Sequence, residues 1–145
     1  MAGTTVEHAL VGTWRLESFH FKTQDGRITY PFGRDAVGYY LFSDSGHMSV
    51  VVMRAQRTRF AAGDVMGGTT EEKVRAAETY ISYSGKYRVD GEKLIVHPEV
   101  AFFPNWVGVD QVRLLKLDGD ELDLSTPPML AAGEIQTAHL VWRRV

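Results

Sequence analysis

Between residues 115 and 124 apolar and polar side chains alternate one for one. Leu115, Leu117, Leu122 and Leu124 fall on one face, Lys116, Glu121 and Asp123 on the other, and Asp118-Gly119 separates the two arms. A period of two marks a strand with one buried face, and Asp-Gly supplies the positive φ angles of a tight hairpin. The frame is echoed in Val89-Asp90-Gly91-Glu92-Lys93-Leu94, and Ser45-Gly46 marks a third turn. Read this way, the chain carries strands near 11–21, 37–43, 47–54, 81–89, 93–101, 109–117, 121–126 and 136–143. Short strands at hairpin spacing predict an all-β protein, an eight-stranded antiparallel up-and-down barrel.

One helix interrupts the alternation, between strands three and four. Thr69-Thr70-Glu71-Glu72 caps and charges its start, and it continues to Tyr80 with Val74, Ala77 and, at its end, Ile81 on one face. There it can lid one mouth of the barrel, next to the glycine-rich segment 61–68, which reads as a mobile loop.

A closed barrel brings the ends of the chain together, because the last strand must cover the edge of the first. Gly12-Thr13-Trp14-Arg15 opens the first strand and Val141-Trp142-Arg143-Arg144 ends the last. An indole needs a large apolar contact and an acceptor for its N–H, an arginine can stack on it, and Gly12 lets the backbone pass close. These residues predict the barrel floor. His8 falls in a frayed N-terminal end, outside that floor.

The parity of the Asp-Gly hairpins also sorts the wall. Leu115, Leu117, Leu122, Leu124 and Thr126 turn inward, and the same face carries Arg113 and Gln111. On the fourth strand Tyr83, Gly85, Tyr87 and Val89 face in, opposite Ser82, Ser84, Lys86 and Arg88. Burying such polar groups unpaired costs about 1–3 kcal/mol each, so they need one another, water or a ligand. An apolar wall with a few placed polar groups describes a small-molecule site. Phe102-Phe103-Pro104-Asn105-Trp106, closed by Gly108, crowds aromatics and an amide into one bend that can roof the pocket.

Composition narrows the chemistry. A chain of 145 residues reads as one domain, 1–145, and no cysteine is present for a thiol nucleophile or thiolate metal site. The net charge is −2, with no basic stripe for nucleic acid or a membrane surface. The first ten residues lack a basic start and an apolar core, so a cytoplasmic protein is expected, monomeric or homodimeric. Histidine spacing offers no metal site, and neither a nucleophile elbow nor a phosphate loop is present; no metal and no cofactor is expected. Among the five histidines His97 matters most, since it precedes the aromatic bend. Strict alternation puts Leu94, Val96 and Pro98 inside and His97 outside; a bulge near Pro98 would reverse that.

The segments Gly12-Thr13-Trp14-Arg15-Leu16, Gly46-His47-Met48-Ser49-Val50 and Tyr80-Ile81-Ser82-Tyr83-Ser84-Gly85-Lys86-Tyr87 resemble the bacterial and fungal lipocalin-like domain family. Pro104-Asn105-Trp106 with Gly108, Gln111 and Arg113, and the closing Leu140-Val141-Trp142-Arg143, extend the resemblance over nearly the whole chain. It implies a calycin-type barrel that holds a ligand, with Tyr83, His97, Asn105, Gln111 and Arg113 as recurrent polar positions. Through relatives in natural-product pathways it also implies cyclase or isomerase activity on polyketide-type compounds.

Three readings follow. In the first the barrel binds a small hydrophobic or aromatic molecule against Tyr87, Phe102, Phe103, Asn105, Trp106, Gln111 and Leu124, with Arg113 fixing an oxygen. In the second it is a cofactor-independent isomerase or cyclase, in which Arg113 and Tyr83 stabilise an enolate and His97 or Glu99 moves the proton. In the third the lumen is filled by its own side chains and the protein is an interaction module.

Overall fold

Buried and exposed side chains alternate through the strands of the computed structural model, which describes residues 5–145. The elements run α1 (Thr5–Leu10), β1 (Gly12–Thr23), β2 (Ile28–Thr29), β3 (Val37–Phe42), β4 (His47–Met53), α2 (Thr70–Ala77) and β5 (Tyr80–Asp90). They continue with β6 (Lys93–Ala101), a 3₁₀ turn (Pro104–Trp106), β7 (Gln111–Asp118), β8 (Glu121–Ser125), β9 (Met129–Ala131) and β10 (Glu134–Arg144). The sheet order is β2-β1-β3-β4-β5-β6-β7-β8-β10-β9, and β1 also pairs β10. That pairing closes eight antiparallel strands into a barrel; the short β2 and β9 extend β1 and β10 beyond it. Both were absent from the expected strands, because two or three residues cannot show a period.

Both Asp-Gly hairpins form, with Asp90 opposite Lys93 and Asp118 opposite Glu121. Their loops are Gly91-Glu92 and Gly119-Asp120, and the glycines carry φ of 62° and 59°. Glycine at the first loop position with one positive φ is the II′ arrangement, so each Asp closes its strand instead of turning.

The two chain ends meet as expected. Trp14 faces Arg144 across β1 and β10, and the Trp14 ring is fully buried with the Arg144 guanidinium 4.3 Å from its centre. Gly12 allows that approach, since a Cβ there would stand 3.0 Å from Arg144 Nη1. A helix completes the floor. The Trp14 indole N–H donates to the Leu10 carbonyl at 2.9 Å, Arg144 donates to the Ala9 and Val11 carbonyls, and Val89 N–H donates to the Glu7 carboxylate. The N-terminal segment is therefore a structured plug from Thr5 onward, and His8 lies on it, not in a frayed end.

The other helix falls between the third and fourth barrel strands, as expected, but departs from expectation in its extent and in contributing nothing to the barrel interior. Thr69 and Glu72 do form the reciprocal capping box, but α2 ends at Ala77 and Tyr80 already belongs to β5. None of its residues is buried, Val74 is half exposed, and none lines the barrel interior. It is pinned to the outside by Arg57, which donates to the Ala76 carbonyl and to Thr79. The glycine-rich segment is tied to it by Ala61 N–H, which donates to Glu72.

Candidate functional site

The inward face of the barrel does not fill its interior. A cavity of about 100 Å³ remains, walled by Phe19 and Phe21 of β1, Tyr40 of β3, Val50 and Val52 of β4, Ile81 and Tyr83 of β5, Leu124 of β8, and Ala138, Leu140 and Trp142 of β10. Trp106 of the 3₁₀ turn, Arg113 of β7, Thr126 and Met129 complete the lining. The wall is mostly hydrocarbon and aromatic, so the few polar atoms in it stand out. Thr126 is already engaged, accepting from Ala138 N–H at 2.9 Å.

Arg113 is the centre of the polar group. Its side chain is 7% exposed, one nitrogen donates to the Val112 carbonyl at 3.0 Å and another to the Tyr83 hydroxyl at 3.3 Å. Its guanidinium carbon lies 5.6 Å from the Trp106 ring centre and 5.9 Å from that of Tyr83, while those two rings meet edge to face. Among the described residues no carboxylate pairs with it. Aromatic faces ease the burial of a cation without neutralising it.

Three buried polar atoms have no partner among the described residues: the Tyr40 hydroxyl and the Trp142 indole N–H, both on cavity-lining residues, and Gln136 Oε1, whose residue does not line the cavity. Tyr40 is 2% exposed, stacked on Phe42 at 4.3 Å and edge-on to Trp142 at 5.4 Å. Burial pushes its phenol pKa well above the usual value; the nearby Tyr83 acts the same way and Arg113 opposes it. Tyr40 therefore stays protonated and keeps a proton to donate.

A model of the lipocalin-like domain matches residues 11–145. The chain belongs to that family. Over 107 residues it is 33% identical to a protein of Aspergillus oryzae named 4'-hydroxy-3'-methoxypropiophenone carrier protein, a match covering 68% of this chain and 96% of that one. Similar solved structures include a lipocalin-like protein from Bacteroides uniformis, with a TM-score of 0.48 at 14% identity, covering 94% of this chain and 98% of that one. A REP1-NXSQ fatty acid transporter gives a TM-score of 0.41 at 15% identity, covering 95% and 97%.

In this lipocalin-like domain the residues picked out from sequence divide in two. Tyr83, Arg113, Trp106 and Leu124 meet at the cavity. Tyr87, Phe102, Phe103, Asn105, Gln111 and His97 do not line it. Tyr87 points inward at another level, packs on Phe42 and donates to the Ser43 carbonyl at 3.0 Å. Gln111 starts β7 and donates to the Val109 carbonyl. Phe102 and Phe103 lie on the outside, and Phe103 reaches the site only as an edge-on support for Trp106 at 5.6 Å. Asn105 is exposed.

His97 lies outside the cavity. It faces Lys86 on the outside of the wall, and its Nδ1 lies 2.8 Å from Asp110 Oδ1, both side chains half exposed. The bulge near Pro98 exists, but it falls one step late. Pro98 still faces Gly85, Glu99 is the extra residue, and the reversal turns Ala101 inward and Val100 out. Glu99 is itself exposed.

Sequence reasoning missed Tyr40, Phe19 and Trp142 as cavity residues. On β3 the obstacle is physical, since Val37, Tyr39 and Leu41 on the outer face are as apolar as the inner set. A strand apolar on both faces carries no parity. Trp142 was readable, because Ala138, Leu140 and Trp142 share one parity above the floor.

Proposed function

We propose that this lipocalin-like domain binds and carries a small aromatic molecule, one ring with short substituents, inside its barrel. The observation that carries this reading is an aromatic-walled cavity lined by one buried arginine that pairs with no carboxylate among the described residues, and by Tyr40 and Trp142, whose hydroxyl and indole N–H are unsatisfied there. Its size limits the occupant to a small molecule: an apolar cavity of about 150 Å³ holds a single benzene ring, so this one, at about 100 Å³, must widen to admit a substituted ring. The relative named as a 4'-hydroxy-3'-methoxypropiophenone carrier supports the same class, an aryl ketone with one phenol hydroxyl and one methoxy group. A side-chain-filled interaction module is disfavoured by the unfilled lumen.

The isomerase or cyclase reading requires a proton carrier beside the ligand. Neither His97 nor Glu99 is on the cavity wall, and the described lining residues include no histidine or carboxylate. Tyr83 and Tyr40 remain as hydrogen-bond donors, which suits holding an oxygen more than moving a proton.

The test is native mass spectrometry of protein from its own host, with organic extraction, followed by titration of tryptophan fluorescence with the propiophenone. A co-purifying aromatic compound and saturable quenching that weakens in Trp106→Ala are expected. Empty protein that shows no saturable quenching would overturn the carrier reading.

A further inference from the structure

We propose that the ligand of this cavity is held as an anion, with its charged oxygen against Arg113 and beside Tyr83 and Tyr40. The inference rests on the carrier reading and goes further, to the charge state of what is carried. Arg113 is a buried cation with no anionic partner among the described residues. Taking a guanidinium out of water is costly, and only an opposite charge with good hydrogen bonds offsets most of that cost.

The surrounding polar groups point the same way, because they offer protons and little else. Arg113 donates to the Tyr83 oxygen, which leaves the Tyr83 hydroxyl proton without an acceptor among the described residues. The Tyr40 hydroxyl and the Trp142 N–H are equally unclaimed. Among the described residues Tyr40 and Tyr83 are the titratable groups that line the cavity besides Arg113, and no acidic side chain or histidine lines it. Burial holds Tyr40 in its protonated form, so it does not compete for the negative charge. A buried cation with the Tyr83 hydroxyl beside it fits a phenolate, enolate or carboxylate. A neutral ketone would leave the charge of Arg113 unanswered.

Two probes of one shape separate the possibilities: para-nitrophenol, which titrates near neutrality with a visible colour change, and para-nitroanisole, its uncharged methyl ether. With the intact protein, bound nitrophenol should show the phenolate band at a pH where the free dye is mostly protonated. Its affinity should exceed that of the ether by about tenfold or more. In Arg113→Met the nitrophenol should lose its advantage over the ether, and with it the phenolate band. A bound dye that keeps the phenol spectrum, or an ether that binds equally well, overturns the anion inference and leaves the carrier reading standing. A phenolate band that survives in Arg113→Met also overturns it. Binding of neither probe overturns the carrier reading and this inference with it.

Discussion

Arg113 is buried with no carboxylate partner among the described residues. A buried guanidinium held by one carbonyl and one phenol is a cost to the fold, and replacing a buried charge by an apolar side chain of similar length is often neutral or favourable. Arg113→Met is therefore expected to leave unfolding free energy in urea unchanged or raised by about 1 kcal/mol, while the ligand-dependent rise in Tm disappears. A loss of several kcal/mol would make Arg113 a structural residue. Its inward direction was legible from the alternation through Leu115 and Leu117. Its lack of a partner was not, because partners come from strands distant in sequence.

At the level of elements, closely approaching backbones carry the geometry. Gly85 sits where the β5–β6 register shifts, and a Cβ there would lie 2.0 Å from the His97 carbonyl oxygen and 2.9 Å from Glu99 N. Both neighbours are backbone and cannot swing away. Gly85→Ala should destabilise by about 2 kcal/mol or more and blur the bulge that turns Ala101 inward. Chemical denaturation, with amide exchange at Val100 and Ala101, would check it; a neutral result would mean the bulge adapts freely. The floor is a second such element. Trp14→Ala removes a fully buried indole that α1, β1 and Arg144 share, at an expected cost of about 3–5 kcal/mol, with loss of exchange protection in α1. A loss under about 1 kcal/mol would show that the plug and barrel are not coupled through this ring. The Trp14 floor was readable from Gly12-Thr13-Trp14, whereas α1 was not, since six residues give too short a window for a helical period.

The whole molecule depends on the seam that closes the barrel, and that seam has its own pH response. His20 and His139 face each other across β1 and β10, stacked 4.9 Å apart on the outer side, with Lys22 and Asp123 nearby. Burial lowers the pKa of both rings below the ordinary 6.5; Lys22 adds to both and His20 to His139, while Asp123 opposes. Folded rings thus resist protonation, and the unfolded chain takes up protons first as the pH falls. Stability from this pair is complete above pH 6.5 and declines below it until both folded rings are charged. Glu17, held low by Arg143, loses its contribution only below its ordinary value of 4.5, so the two limbs separate. Thermal melts across pH 6.5 should show a falling Tm on the acid side, abolished in H20Q/H139Q. An identical acid limb in that double variant would place the effect elsewhere.

Alternation, turn residues and the aromatic ends determined the barrel from sequence alone, because strand period and hairpin chemistry are local and repeat along the chain. They also set the inward faces of β5, β7 and β8, where charged residues mark the opposite side. Tertiary structure decided the rest. The outside place of α2 depends on Arg57, and the roof role of Trp106 without Phe102 depends on how one bend lies over the rim. The position of the bulge by one residue kept His97 out of the cavity, and a barrel wall apolar on both faces hid Tyr40. Each of these turns on which distant segment lies opposite, a quantity that a local pattern does not contain.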